Sequence, residues 1–171
     1  MAAKWILPIA LFALPFAATA QTGNCTQVDA STRPECSGAI DFFHNLQSAM
    51  QKNDRQAIAG MVDYPMSTSL NHRRVRVRSA QQLLAHFDKV FDKGVRCSIL
   101  GATDKDVWGN WQGFTVSDGA VWFDVIIPAS AKPDVSAADY WKKYPFKIKT
   151  INSNGDYACA AQSSTTSPSP H

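Results

Sequence analysis

One predicted strand carries the densest group of charged side chains in the sequence. Residues 72–78 alternate as a strand does, with valines directed to one face and Arg74, Arg76 and Arg78 to the other. Guanidinium groups in such a row can bind an anionic partner, such as a carboxylate-bearing ligand, cell-wall material or an acidic protein surface. The commoner use of such a row is a solvated sheet edge that resists aggregation, and both interpretations stay open.

Aromatic side chains are the second group with binding potential. The residues concerned are Trp108, Trp111, Phe114, Trp122 and Phe123. Their rings could stack on a ring-shaped ligand or a sugar, although aromatic residues at alternating strand positions more often fill a core. We predict Trp111 and Trp122 as ligand-binding residues. His86 is added because it adjoins Phe87 on a predicted helix and could point toward the mouth of a pocket.

Three residues are candidates for acid–base chemistry. Asp63, Tyr64 and Asp124 could exchange protons near neutrality if an apolar pocket raised the pKa of a carboxylate. Ordinary roles are available to both carboxylates, because Asp63 can cap the turn before Pro65 and Asp124 can face solvent from a strand. Tyr64 is also predicted to contact a ligand. No serine lies in a nucleophile elbow, so the sequence offers no nucleophilic catalysis.

The chain contains four cysteines, and their even number favours two disulfides in an oxidising compartment. Four cysteines allow three pairings. We favour Cys25 with Cys36, which are close in sequence, and Cys97 with Cys159, which both lie in strand-like stretches. No C-x-x-C pair occurs and no two histidines share a ligand spacing on one element, so neither a metal nor a cofactor is expected.

Residues 1–20 have the pattern of a cleavable secretory signal. A short basic segment ends at Lys4, an apolar run follows, and Ala18 and Ala20 form a cleavage motif. The mature chain is therefore expected to begin near Gln21 and to be secreted or periplasmic. No later apolar run is long enough to span a bilayer, so no membrane insertion is expected after cleavage.

Charge and length narrow the class of protein. The chain has 17 basic and 14 acidic residues and a formal net charge of +3, which falls by one when Lys4 leaves with the signal. This excess is too small to indicate a nucleic-acid partner. About 150 mature residues are sufficient for one domain with its own core. The expected organisation is an N-terminal arm at 21–37, one domain at 38–162 and a disordered tail at 163–171.

Three helices are predicted in the first half of the domain. The first spans residues 40–53. The second starts at a cap on Asn53 or Asp54, buries Met61 and Val62, and stops at Pro65. Ser79 and Gln82 form a capping box at the start of the third, and Gly94 provides its left-handed exit.

Strands are predicted for most of the second half. Val95, Cys97 and Ile99 share one face of a strand, and residues 108–116 pair with residues 120–127 through a turn at Ser117-Asp118-Gly119. A last strand is expected at residues 146–151. Helices followed by an antiparallel meander predict an α+β domain with its helices on one face of the sheet.

Several motifs resemble exported bacterial members of the nuclear transport factor two-like superfamily. They are Phe42-Phe43-His44-Asn45-Leu46, Val62-Asp63-Tyr64-Pro65-Met66, Phe87-Asp88-Lys89-Val90-Phe91, Trp111-Gln112-Gly113-Phe114 and Gly119-Ala120-Val121-Trp122-Phe123. The resemblance covers residues 38–127 and implies a cystatin-like half-barrel, in which a curved antiparallel sheet wraps around helices and leaves a conical pocket. The tyrosine and aspartate constellation of the enzymes in this superfamily has no match here.

The resulting expectation is an exported, non-enzymatic binding module that holds a small ligand or an envelope protein, in the manner of an inhibitor or an immunity protein. The alternative is a small isomerase or dehydratase-like enzyme that uses pocket carboxylates. A third possibility is an accessory part of an envelope assembly. The sequence does not indicate an oligomeric state.

Overall fold

The computed structural model of the chain describes residues 23–27, 33–70, 73–132, 134, 139–153 and 157. Within these ranges the fold is α+β, as predicted. The strands are β1 Gly23–Asn24, β2 Val62–Leu70, β3 Arg73–Val77, β4 Val107–Asn110, β5 Gly113–Val116, β6 Val121–Val125 and β7 Phe146–Ile151. The helices are α1 Glu35–Gln51, α2 Arg55–Gly60, α3 Ala80–Ala85, α4 Phe87–Val90 and α5 Lys93–Gly101, with 3₁₀ turns at Asp104–Asp106 and Tyr140–Lys143.

The seven strands form one open sheet in the order β1-β4-β5-β6-β7-β2-β3. The run from β4 to β7 is antiparallel, which confirms the predicted meander. However, β2 and β7 are parallel, so the sheet is mixed and the prediction of a wholly antiparallel sheet is wrong at this junction. The long connection between β2 and β7, which contains helices and the meander, is what allows β7 to return in the same direction.

Helix α1 packs an apolar side against the sheet. Its buried residues include Phe42, Phe43 and Leu46, which recur at helical spacing. The ring centroid of Phe42 lies 4.9 Å from that of Phe123 on β6 and 6.0 Å from that of Phe146 on β7. Helices and strands contribute to one core cluster, so the helices cover one face of the sheet.

The alternation of β6 divides its side chains between the two faces. Val121 and Phe123 are buried in the core, whereas Trp122 and Asp124 are only half-buried. The sheet surface that carries Trp122 and Asp124 is hereafter the outer face. It lies opposite the helices.

The segment around Pro65 is a strand and not the end of a helix. The prediction placed Met61 and Val62 in the second helix, but α2 ends before them and Val62 opens β2. Asp54 does cap α2 as predicted. The pairing of β2 with β7 shifts register between Val62 and Ser67, and a proline without an N–H group is tolerated at such an irregularity.

The predicted capped helix exists, but it is divided. The Ser79 hydroxyl accepts a hydrogen bond from the Gln82 N–H at 3.2 Å, and Gln82 Oε1 accepts one from the Arg78 N–H at 2.7 Å. The backbone of His86, with φ −121° and ψ 18°, then separates α3 from α4.

The apolar stretch after Gly94 is a helix and not the predicted strand. Val95 and Ile99 are buried, and residues four apart share a face in a helix as well as in a strand. The Asp92 carboxylate decides between the two, because it accepts a hydrogen bond from the Val95 N–H at 2.9 Å and caps α5. Gly94 lies inside α5, so the predicted helix exit there is wrong as well.

Residues 108–116, predicted as one strand, belong to two. A tight turn at Trp111 and Gln112 joins β4 to β5, and within it Asn110 Oδ1 accepts a hydrogen bond from the Gln112 N–H at 2.7 Å. The predicted turn at residues 117–119 is confirmed, and all three of its residues have positive φ angles.

A disulfide joins the N-terminal arm to α1. Cys25 and Cys36 are paired as predicted, with their Cα atoms 5.2 Å apart. Helix α1 begins at Glu35, so the arm is shorter than predicted. Cys97 is also disulfide-bonded, whereas Cys159 lies outside the described residues. The Cys97–Cys159 pair therefore stays a prediction.

The predicted signal at residues 1–20, Gln21 after it and the predicted tail at residues 163–171 also lie outside the described residues. In the ranges that are described, no helix has the length and apolar character needed to cross a bilayer.

A second tie joins three of the helices. Arg55 on α2 forms two hydrogen bonds with the Asp88 carboxylate on α4, at 3.0 and 3.1 Å, and Arg96 on α5 binds the same carboxylate. Both guanidinium groups lie over the Phe87 ring, at 4.9 and 5.5 Å from its centroid. The hydrogen bond from Arg55, followed by that from Arg96, lowers the pKa of Asp88 below its ordinary value.

The division of β6 predicts opposite outcomes for adjacent residues. Phe123→Ala should lower the free energy of unfolding by about 3–5 kcal/mol, because it leaves a cavity among packed rings. Trp122→Ala, one position away, should cost about 1 kcal/mol or less. Urea denaturation of the two variants checks this, and an equal loss in both would contradict the assignment of faces.

The Asp88 tie predicts a pH dependence. Its pKa is lowered in the folded state, so its contribution to stability is complete above the pKa of the unfolded state and is lost as pH falls through the folded value. The melting temperature of Asp88→Asn should therefore be lower than that of the native chain at neutral pH. The difference between the two melting temperatures should shrink as the solution is made acidic. Because the carboxylate is exposed, the difference should be small and should shrink in about 1 M salt. A difference that persisted in acid would contradict the tie.

Candidate functional site

A groove on the outer face contains both tryptophans that the sequence predicts as binding residues. Its volume is about 480 Å³. The residues that line it are Trp111, Gln112, Trp122, Asp124, Lys149, Thr150 and Asn152. This tryptophan groove combines two indole rings with amide, hydroxyl and charged groups, so it can stack against a ligand and also form hydrogen bonds with it.

Trp111 projects from the tight turn between β4 and β5. The Asn110 side chain holds this turn, and Gly113 closes it with φ +120°. Trp111 is 77% exposed, more than any other large apolar side chain in the described ranges. A tight turn thus holds an apolar ring in water, where it is available to a ligand.

Trp122 lies in the middle of the sheet. Its cross-strand neighbours are Thr115 on β5 and Thr150 on β7. A Cβ atom built on Gly119 would lie 3.4 Å from Trp122 Nε1, so the indole extends toward the turn between β5 and β6. The Trp122 side chain is half-buried and lines the tryptophan groove.

One ion pair lies within the groove. Lys149 Nζ is 3.4 Å from Asp124 Oδ2, and the other carboxylate oxygen accepts a hydrogen bond from the Val125 N–H at 2.8 Å. The two side chains are 44% and 32% exposed, so the pair is screened by water and can be rearranged by a ligand at little cost.

The predicted arginine row lies on the same face of the sheet as the groove. Val77 is buried opposite Met66, whereas Arg76 is exposed opposite Ser67. Ser67 is in turn paired with Thr150, which pairs with Trp122. One cross-strand row therefore leads from Trp122 to Arg76.

Arg74 occupies the neighbouring outward position of β3, opposite Ser69. Arg78 is exposed just beyond the end of β3, and its backbone N–H belongs to the cap of α3. Among the described residues, no carboxylate lies within ion-pair distance of Arg74 or Arg76. These arginines are therefore exposed on an edge strand, and both interpretations of the row stay open.

Two of the predicted binding residues lie elsewhere. The Tyr64 hydroxyl donates a hydrogen bond to the Ala59 carbonyl of α2 at 3.1 Å, and burial raises the pKa of Tyr64. His86 is exposed at the junction of α3 and α4. Neither residue lines the tryptophan groove.

The candidate acid–base groups are not assembled in one place. Asp124 is on the outer face, while Tyr64 packs against the core from β2. Asp63 adjoins Tyr64 and has no ion pair among the described residues. Among the described residues, these three predicted groups therefore lie on two strands and form no hydrogen bond with one another.

The aromatic residues of the meander divide into two sets. Phe114 and Phe123 are core residues, with ring centroids 5.9 Å apart. Trp108, which is 48% exposed, lies on the outer face but lines a different cavity together with Cys97 and Tyr157. The phenylalanines thus fill the core, whereas these tryptophans face outward, and their role in ligand binding stays a prediction.

Sequence reasoning missed Lys149, Thr150 and Asn152. A register shift opposite Trp122 turns both Lys149 and Thr150 outward, which simple alternation along β7 does not reveal. It also missed an exposed pair between His44 and Asp104, at 2.6 Å, which joins α1 to the following 3₁₀ turn. In the described part of the chain, no cluster of three or more His, Cys, Asp or Glu could hold a metal ion.

The turn that carries Trp111 gives a testable prediction. Gly113 has φ +120°, and a Cβ atom there would lie 2.8 Å from the Phe123 carbonyl oxygen and 3.1 Å from Asp124 Cβ. Gly113→Ala should therefore lower the free energy of unfolding by about 1–3 kcal/mol. Gly60→Ala is the matched control, because nothing lies within 4 Å of its Cβ position, and it should be neutral or stabilising. Equal urea midpoints for the two variants would contradict the requirement for glycine at position 113.

No protein-family model, no curated protein and no solved structure matches the chain. The resemblance to the nuclear transport factor two-like superfamily therefore stays a prediction, and the function has to be argued from the site itself.

Proposed function

We propose that the chain is an exported, non-enzymatic binding module that holds a small ligand or a partner protein on the outer face of its sheet. The observation that carries this proposal is the groove shared by Trp111 and Trp122. Large apolar rings that face solvent contribute little to the core, and grouped exposure of this kind is typical of interaction sites. An inhibitor or an immunity protein belongs to the same class.

The groove has the chemistry that a binding site requires. The indole faces provide stacking surfaces, and polar groups around them can fix the orientation of a ligand. Asn152 Nδ2 donates a hydrogen bond to the Gly119 carbonyl at 2.7 Å, which leaves Asn152 Oδ1 as an acceptor for a ligand. Thr150 adds a hydroxyl, and Gln112 adds an exposed amide.

Export is supported by the cysteine chemistry. Cys25 and Cys36 form a disulfide and Cys97 is disulfide-bonded, and such bonds persist in oxidising compartments outside the cytosol. A periplasmic or secreted location fits this chemistry. It also fits the signal pattern expected at residues 1–20.

The enzymatic alternative receives no support from the site. An isomerase or dehydratase-like reaction needs a carboxylate and a proton donor in a dry cavity. Asp124 is engaged with Lys149 and with the backbone of β6, while the Tyr64 hydroxyl donates to Ala59. Binding is therefore the better proposal for these residues.

The family resemblance enters as part of the same proposal. Helix α1 packs on the sheet through Phe42, which agrees with a sheet that wraps around helices. The parallel pairing of β2 with β7 is an independent feature that a member of the family would have to accommodate. The tryptophan groove on the outer face does not depend on the resemblance. It is a different place from the conical pocket that the resemblance implies.

The proposal predicts that the two tryptophans of the groove act together. The chain, produced by secretion with its disulfides intact, should show binding in a screen against glycans and acidic small molecules followed by tryptophan fluorescence. Trp111→Ala and Trp122→Ala should each weaken the binding of the compound found in the screen at least about tenfold, because each removes one stacking surface. Calorimetric titration provides the affinities.

Trp108→Ala is the matched control, because Trp108 is also an exposed tryptophan of the outer face but lines another cavity. Its affinity for the same hit should be unchanged. If the Trp111 and Trp122 variants bound normally, or if the screen yielded turnover of a compound and no bound ligand, the proposal would be wrong.

A further inference from the structure

We propose that the ligand of the outer face is an acidic oligosaccharide that extends from the tryptophan groove across β7 and β2 to Arg76 and Arg74 on β3. This inference rests on the proposed function and names the class of ligand. It follows from three observations: a continuous cross-strand row, two exposed arginines with no ion pair among the described residues, and a mixture of indole and hydroxyl groups.

The row provides the length of the site. Trp122, Thr150, Ser67 and Arg76 are successive cross-strand partners on β6, β7, β2 and β3. Three strand spacings separate Trp122 from Arg76, which is about 14 Å. A distance of this size fits a chain of several sugar units and exceeds a single ring.

The arginines of the row indicate that the ligand is negatively charged. Arg74 and Arg76 are exposed, and within the described ranges neither is paired with a carboxylate. The one acidic side chain that lines the groove, Asp124, is already paired with Lys149. The guanidinium groups can therefore form charge-assisted hydrogen bonds with carboxylates or sulfates of a ligand.

The uncharged groups indicate sugar. An indole face stacks against the apolar C–H face of a pyranose ring, and the groove presents two such faces in Trp111 and Trp122. Sugar hydroxyls need partners that both donate and accept, which Ser67 and Thr150 provide along the row. An acidic peptide has no comparable ring at every unit.

A single-stranded nucleic acid would also use aromatic stacking and positive charge. The formal net charge of the whole chain, +3, is low for that class of partner. Nucleic acid and acidic peptide are therefore outcomes that the test must distinguish.

The experiment measures binding of fluorescently labelled oligogalacturonate to the disulfide-intact chain by anisotropy. Three further probes of similar length are compared with it: its methyl ester, poly-glutamate and a single-stranded DNA oligonucleotide. Oligogalacturonate should bind most tightly. The methyl ester should bind about tenfold more weakly because it loses the charge, and poly-glutamate should bind as weakly because it has no ring to stack.

The double variant Arg74→Gln/Arg76→Gln should weaken oligogalacturonate binding about tenfold at low ionic strength and should leave binding of the methyl ester unchanged. The control is Lys52→Gln/Lys89→Gln, which removes the same charge from exposed positions at the end of α1 and on α4. It should have no effect beyond a small, salt-sensitive change.

Each of the following four results would overturn the inference. Poly-glutamate or DNA binding as tightly as oligogalacturonate would show a general anion surface or a nucleic-acid surface. An unchanged affinity in the double arginine variant would show that the row is not used. If the methyl ester or a neutral sugar bound through Trp111 and Trp122 as tightly as oligogalacturonate, the inference would fail while the proposed function stood. If no probe or screened compound responded to the tryptophan variants, both would fail.

Discussion

The contact between α1 and the sheet decides which side chains remain available to a ligand. Phe42 packs against Phe123 with ring centroids 4.9 Å apart, and the helices share one core cluster with the residues that point inward from the strands. Since neighbouring residues of a strand face opposite ways, burial of Phe123 turns Trp122 outward. The same alternation buries Val77 and exposes Arg76. One packing interaction and one geometric rule thus place the tryptophan groove and the arginine row on a single surface.

Stability and binding are divided between the two faces of the sheet. The core face of the sheet buries apolar side chains, and the Cys25–Cys36 disulfide fixes the arm to α1. The Asp88 tie joins helices to one another. On the outer face, Trp111 is held in water by a tight turn that ends at Gly113, and its exposure adds little to the core. Residues that contribute little to folding, yet are fixed in position by elements that do, are suited to recognition because their geometry is set before a ligand arrives.

Local patterns in the sequence predicted most elements correctly, and the errors have identifiable causes. The cap at Ser79, the turn at residues 117–119 and the Cys25–Cys36 pair follow from residue chemistry alone. The strand predicted at Val95 to Ile99 is a helix, because a spacing of four residues suits both structures and the cap at Asp92 decides. The parallel pairing of β2 with β7, and the outward turn of both Lys149 and Thr150, depend on contacts between distant segments. The sequence therefore predicted the two tryptophans of the groove, but it did not predict the residues that β7 contributes.

The most direct test of binding on the outer face is a map of the indole N–H signals. In a two-dimensional NMR spectrum of the ¹⁵N-labelled, disulfide-intact chain, these signals report separately on Trp108, Trp111, Trp122 and Trp141. Titration with oligogalacturonate should shift the Trp111 and Trp122 signals in a saturable manner and leave Trp141, which packs against α1 at Gly38, unchanged. Shifts confined to Trp141, or to backbone amides of the helices, would place the ligand on the opposite side of the molecule and would contradict the outer face as the binding surface.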